Sequence, residues 1–365
     1  MNSYTTPVYD DAPSKKKPIY PITPGLRKYL KGYGRLFPAQ ADYHDLLRFQ
    51  SSYPLYDRKG KDTLWESVYF TPSDQLQLNK ALSGMYAQLK TGGDLSVMDH
   101  LYVERIDYCT FGNSKPFRIR IVNQFNDNFD YFYVKQADAS RIYGLELEHI
   151  LSPNRISYFV SNNTLIEEHI AGIPGDMFMT SGLESKGING IRIAKEFVKF
   201  NERCFLRLLG DMRAYNYVVD ITPDFEEVHY RIRAIDFDQQ CYEGRKNLYL
   251  PQFFKENNPI VQLAIQLMTP ETVHQYQVEE RTLIAKRIKA GKRMLKDLLD
   301  TMSNDTISTP EKTKQLGEEL AAHYCNPVFL KCKSMGDLVK TSLREMLRNN
   351  KEQWLKNSRK FHENP

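Results

Sequence analysis

Apolar positions recur with two different periods along the chain, and the changes of period divide it. Residues 1–24 show almost no periodic apolar content and carry prolines at 7, 13, 18, 21 and 24, which predicts a flexible arm. From Leu26 to Gly93 the spacing is helical with loops. Its best-marked helix opens at Thr71-Pro72-Ser73-Asp74, a hydroxyl cap followed by a proline and an acid in the first turn. Leu76, Leu78, Leu82, Met85, Tyr86 and Leu89 continue the stripe, and Gly92-Gly93 stops it. From Leu101 the period drops to about two. Leu101–Tyr108, Phe117–Val122 and Tyr131–Lys135 read as an antiparallel meander, with turns at 110–116 and 126–128. A helix over 140–151 ends at Ser152-Pro153, and strands follow at 155–160 and 164–170. Ala171-Gly172-Ile173-Pro174-Gly175 breaks the pattern. Beyond it helices dominate, interrupted by a hairpin-like stretch at 217–219 and 230–237 with a turn at Thr222-Pro223-Asp224.

The expected fold class is therefore α+β: a five-stranded antiparallel sheet with one helix, then a larger helical part, a layout that suggests two lobes with a ligand cleft between them. The boundaries are 1–24 for the arm, 25–98 for an N-terminal helical extension, 99–171 for the sheet lobe and 172–365 for the helical lobe. At 365 residues, 41% of them hydrophobic, the chain can bury cores for two units. No run reaches the roughly 18–20 apolar residues that cross a bilayer, and no apolar segment follows Lys15-Lys16-Lys17 as a secretory signal requires. Five cysteines, an odd number with no C-x-x-C pair, speak against a disulfide framework or a structural zinc site, so the cytoplasm is the expected location. A net charge of +5 is too balanced for a dedicated nucleic-acid binder. The basic stretch from Glu279 to Leu299 is expected to be a solvated helix face.

Three local patterns carry candidate chemistry. Lys135 ends an otherwise apolar strand, and Glu146 lies eleven residues on in the next helix, with Glu148 as second choice. A buried ammonium needs a carboxylate partner, and once paired it can hold nucleotide phosphates as a fixed point charge. Second, Asp211 and Asn216 stand five apart in a loop between a helix and a strand. That loop can aim a carboxylate at a substrate hydroxyl and an amide oxygen at magnesium, with Arg213 between them to neutralise a transferred phosphoryl group. Third, Arg233-Ala234-Ile235-Asp236-Phe237-Asp238 places an acid directly after an apolar strand, an oxygen ligand suited to a hard cation.

In order and context these patterns resemble the protein kinase-like superfamily, and more closely its atypical bacterial branches, the aminoglycoside phosphotransferases and persistence-toxin-type kinases. Thr164-Leu165-Ile166-Glu167-Glu168-His169-Ile170-Ala171-Gly172 looks like the last strand and hinge of the small lobe. Gly210-Asp211 through Asn216 looks like the catalytic loop, and Ile235-Asp236-Phe237 like the metal-binding segment. The resemblance covers about 101–244. It implies ATP and Mg2+ as cofactors, Asp211 as catalytic base, Asn216 and Asp236 as metal ligands, and Lys135 as the phosphate lysine. It also implies that the backbone of Glu168, His169 and Ile170 meets the adenine. The chain departs from the pattern in four ways, the first being Arg213, which stands where protein kinases have lysine and small-molecule kinases often have histidine. No G-x-G-x-x-G covers the first hairpin, where only Gly112 stands, so phosphate cradling by backbone amides is not implied. Leu209-Gly210 replaces a histidine found in many relatives, and Asp238 replaces the glycine of the commonest metal motif. The expected activity is Mg-dependent transfer of the ATP γ-phosphate to a hydroxyl, and the size of the helical part favours a protein or peptide acceptor over a small molecule. A pseudokinase acting as a nucleotide-binding scaffold, and AMP transfer by the same fold, are the rival expectations. No membrane partner is expected.

Overall fold

The structure, a computed structural model, describes residues 17–57, 59–92, 100–112, 114–183, 185, 187–224 and 228–362. Residues 1–16 of the expected arm, Gly93 of the helix stop and Asn113 of the first turn lie outside the described residues; residues 17–23 form no regular element. The chain divides into two compact units. A sheet unit holds Ile19–Ala171 and Gly291–Asp305; a helical unit holds Gly172–Ala290 and the chain from Thr306 onward.

In the sheet unit, α1 (Pro24–Gly32) and α2 (Tyr43–Leu46) precede β1 (Ser51–Tyr56), β2 (Asp62–Tyr69) and α3 (Pro72–Thr91). Then come β3 (Leu101–Cys109), β4 (Phe117–Asn123), β5 (Phe129–Gln136), α4 (Ala139–Leu151), β6 (Tyr158–Ser161) and β7 (Thr164–Glu168). All strands join one antiparallel sheet in the order β1-β2-β3-β4-β5-β7-β6. The expected five-stranded sheet is thus corrected to seven strands, and the expected helical extension is corrected with it, because 51–56 and 62–69 are strands. Pro54 masks this in the sequence. It lacks the N–H of a ladder residue, yet it is tolerated because β1 is an edge strand.

The cap of α3 follows its local sequence: the Thr71 Oγ1 accepts the Asp74 N–H at 3.1 Å, and Gly92 takes the left-handed conformation at φ 68°. One face of α3 packs Leu78, Leu82, Met85 and Leu89 against Val103, Ile106, Ile119, Ile121, Phe132 and Val134. Strand alternation sends Arg118 and Arg120 to the opposite face of the sheet from Phe117, Ile119 and Ile121.

The predicted basic helix over 279–299 is corrected to two helices, α8 (Pro270–Ala290) and α9 (Lys292–Ser303), separated at Gly291. Helix α9 belongs to the sheet unit, where the Tyr33 hydroxyl donates to Asp297 at 2.7 Å. Thr23 and Tyr143 both donate to the Asp305 carboxylate just beyond it, at 3.0 and 2.8 Å.

The helical unit opens with β8 (Ile173–Pro174) and the short α5 (Gly175–Met177), followed by α6 (Gly190–Arg207). A hairpin of β9 (Tyr217–Pro223) and β10 (Val228–Ala234) completes a three-stranded sheet in the order β10-β9-β8. Helices α7 (Asn258–Leu267), α8, α10 (Pro310–Tyr324) and α11 (Met335–His362) follow. On α8, Arg281 and Arg287 donate to Glu202 and Glu280, both nearly fully buried. Among the described residues no helix is long and apolar enough to cross a membrane.

Candidate functional site

Lys135 sits in β5 directly opposite Leu165 of β7. Directly opposed residues share a face, so the next residue of β7 on that face, Glu167, is the diagonal neighbour of the lysine. Its carboxylate accepts Lys135 Nζ at 2.8 Å and the Arg141 guanidinium through Nε and Nη2, the latter also at 2.8 Å. All three side chains are buried. Burial alone would raise the Glu167 carboxyl, but the charges and hydrogen bonds of Arg141 and Lys135 outweigh it and hold the group at about 2.

Glu146 is therefore not the carboxylate seen on Lys135. Its two oxygens take the Tyr29 hydroxyl at 2.6 Å, Arg35 Nε at 3.0 Å and the Tyr158 hydroxyl. Fully buried in the middle of α4, it closes a polar network with α1 and β6 instead.

The proposed adenine edge is also partly spent within the sheet unit. The Glu168 N–H donates to Ser157 O at 3.0 Å and the His169 N–H to Tyr131 O at 3.3 Å. Ile170 is buried, and among the described residues its N–H makes no such backbone bond.

In the helical unit the loop between α6 and β9 is built under strain. Helix α6 ends at Leu208, a non-glycine residue in the left-handed conformation at φ 56°, and Leu209 N–H returns to Cys204 O at 2.9 Å. Gly210 then passes so close to neighbouring backbone that a Cβ there would stand 3.0 Å from Gln239 O. Asp211 is left-handed again, at φ 57°, a conformation that costs a non-glycine residue energy and persists only where its surroundings hold it. The Asp211 N–H donates to Leu248 O at 3.0 Å, and Arg213 N–H closes on Asp211 O at 2.8 Å.

Strand register then brings the third motif to the same place. Tyr217 opposes Ala234 in the β9–β10 ladder, so the residue before β9 lies beside the residues after β10. The Asn216 carbonyl accepts Ile235 N–H at 3.0 Å and Asp236 N–H at 3.4 Å. Asn216 Nδ2 turns to Asp211, donating to its carbonyl at 2.7 Å. Asp211, Asn216 and Asp236 are thus gathered in one unit.

Burial pushes the Asp211 carboxyl up; Arg213 pulls it down, and the negative charges of Asp236 and Glu256 raise it again, leaving it at about 6. Arg213 bridges Asp211 and Glu256, at 2.8 Å to each, so the arginine expected to face a phosphoryl group here binds two carboxylates.

The donor set suits magnesium. It is all oxygen, and with the amide Nδ2 committed to Asp211, Asn216 Oδ1 accepts no hydrogen bond among the described residues. Two or three protein oxygens are what this ion takes, since it keeps several waters. No group of three or more His, Cys, Asp or Glu placed to hold a metal occurs among the described residues.

Sequence reasoning missed Glu167, Arg141 and Glu256. Glu167 stands inside the hinge-like motif, but only the pairing of β5 with β7 reveals which acid meets Lys135. Glu256 is forty-three residues from Arg213, and no local signal marks it.

No family model and no curated protein matches the chain. Among solved structures it is similar to "Titin kinase and its flanking domains", with a TM-score of 0.28 and 13% identity over 67% of this chain and 54% of that one. The chain therefore spans about half the length of that structure. A likeness of this degree assigns neither a fold nor the role of any residue.

Proposed function

We propose that the chain is a kinase-like phosphotransferase that moves the γ-phosphate of ATP to a hydroxyl acceptor. The observation that carries this reading is the gathering of Asp211, Asn216 and Asp236 by the β9–β10 register, with Asp211 poised at about 6. A carboxyl with that affinity is ionised at neutral pH, yet basic enough to accept a hydroxyl proton as the oxygen attacks. Asn216 Oδ1 and Asp236 would hold Mg2+, which when bound neutralises phosphate charge. Arg213 holds Asp211 in place and limits the upward shift of its carboxyl. Lys135, fixed by Glu167, is the cation assigned to the phosphates.

The test is ADP release with ATP, Mg2+ and a panel of peptide and small-alcohol acceptors, including self-phosphorylation. Asp211→Ala is expected to abolish transfer with nucleotide affinity nearly intact, whereas Lys135→Ala weakens both. Activity unchanged in either variant refutes the corresponding role.

One observation favours a second reading, a nucleotide-binding scaffold. The Asp211 carboxylate is already ion-paired to Arg213, itself anchored on Glu256. ATP binding without transfer of phosphate or AMP to any product, by mass spectrometry, would establish that reading in place of the first.

A further inference from the structure

The sheet face opposite α3 carries more positive charge than simple alternation produces. Val103 and Ile106 both enter the core, a spacing of three that a regular strand cannot give. A bulge between Val103 and Arg105 supplies the extra residue, Glu104. The phase change sends Arg105 and Asp107 to the face already occupied by Arg118, since Asp107 opposes Arg118 across β3 and β4.

There Asp107, 0% exposed, holds both guanidiniums. Arg105 donates through Nε at 2.7 Å and Nη2 at 3.1 Å; Arg118 donates through Nε at 3.1 Å and Nη2 at 2.8 Å. Ser67 adds a hydroxyl at 3.0 Å. One arginine with the serine would satisfy a buried carboxylate; two leave an excess positive charge. Both remain accessible, with side-chain exposures of 32% and 23%, and neither Nη1 makes a hydrogen bond among the described residues. Arg118 also meets two rings, its guanidinium carbon 4.4 Å from the Trp65 centroid and 5.2 Å from that of Tyr131. A guanidinium held on two sides loses little freedom when a third group arrives.

The neighbourhood continues towards Lys135. Arg118 opposes Tyr133 in the β4–β5 ladder, two residues before the lysine on the same face. Lys135 Nζ stands 5.3 Å from the Tyr133 ring centroid.

We propose that Arg118, with Arg105 beside it, binds the phosphate chain of the nucleotide on this sheet face, the task that backbone amides of a glycine-rich hairpin would otherwise perform. The proposal rests on the kinase-like reading for its ligand, and on the Asp107 cluster for its geometry. Two Nη1 donors held in place by Asp107, with excess positive charge, match the several oxygens of a polyphosphate better than they match a single carboxylate.

The test is calorimetric binding of ATP, tripolyphosphate and adenosine, each with Mg2+, to the full chain and to Arg118→Gln. The expected result is a loss of at least about tenfold in ATP and tripolyphosphate affinity, with adenosine affinity unchanged. Arg118→Lys, which keeps the charge but not the fork, should recover part of the loss. Wild-type affinity for ATP in Arg118→Gln overturns the proposal and leaves the kinase-like reading standing. If the unsubstituted chain binds neither ATP nor adenosine, that reading falls. The anion site then survives only if tripolyphosphate binds and Arg118→Gln abolishes it. Should Arg118→Gln fail to fold, phenylglyoxal labelling of the unsubstituted chain decides. Protection of Arg118 by ATP but not by adenosine supports the proposal, and equal labelling with and without ATP overturns it.

Discussion

Replacing Asp211 by Asn removes a carboxyl that the folded chain holds in its ionised form at a cost. The group's ordinary value of 3.8 is raised to about 6, a difference of about 2 units, or about 3 kcal/mol at 1.36 kcal/mol per unit. Because the folded value lies above the unfolded one, the folded chain binds more protons between pH 3.8 and 6. Stability therefore falls as pH rises through that window, and the cost is complete above about 6. Asn at the same position carries no charge at any pH. The stability of Asp211→Asn relative to the unsubstituted chain should consequently grow by up to about 3 kcal/mol from pH 4 to pH 8. Solvent screening lowers this figure, since the side chain keeps 18% exposure. Lost hydrogen bonds to Arg213 and Asn216 add a constant offset, and titrating groups elsewhere cancel in the comparison. Thermal melts of both proteins at half-unit pH steps measure the effect as a change of roughly 5 °C in the gap between their Tm values. A Tm of Asp211→Asn minus that of the unsubstituted chain that stays flat refutes the reasoning, and one that falls as pH rises would mean that Arg213, rather than burial, governs the group.

Glu256→Gln removes a negative charge that raises Asp211 and frees Arg213 to bond it more closely, so the midpoint of the same stability difference should move below about 6; a midpoint that rises contradicts the geometry. Glu167→Gln takes from Lys135 and Arg141 the carboxylate that both bond, which should cost about 3 kcal/mol, the low end for a broken buried pair, because both cations keep further interactions. That carboxyl is held at about 2 against an ordinary 4.5. Its contribution is thus present above pH 4.5 and lost as pH falls towards 2, so urea unfolding of the two proteins should converge in acid. Gly175→Ala drives a Cβ against the Ala214 carbonyl and the Tyr217 ring; a loss of about 1–3 kcal/mol in chemical unfolding is expected, and wild-type stability would show that the loop gives way freely. Thr71→Ala removes the α3 cap and should cost about 1 kcal/mol in the same assay.

What the sequence discloses depends on how far apart the decisive partners lie. Helix α3 is legible because its cap, proline and glycine stop act within a turn of themselves. The clustering of Asp211, Asn216 and Asp236 is legible for a related reason: a hairpin joins the loop to the segment after it, and antiparallel pairing returns the chain to where it left. The partner of Lys135 is not legible, since Glu146 and Glu167 are both plausible until the register of β5 on β7 is known. Glu146 is claimed instead by Tyr29 and Arg35, more than a hundred residues earlier in the chain. The bulge at Glu104 is equally hidden. An alternation count run through β3 puts Arg105 on the wrong face, and with it the link to Asp107 and Arg118. Pro54 conceals β1 because its usual meaning, a break, does not apply at a sheet edge.

The return of α9 to the sheet unit sets an order of events during synthesis. Asp305, which takes the hydroxyls of Thr23 and Tyr143, emerges from the ribosome long after the last strand of the seven. At about 5–20 residues per second the wait from Ala171 to Asp305 is on the order of ten seconds. Until then Thr23, Tyr33 and Tyr143 lack their acceptors, and the nascent amino-terminal half must stay soluble in an unfinished state. A shortened protein ending at Ala171 would stop there for good, with all seven strands of the larger sheet present and its closing helix missing.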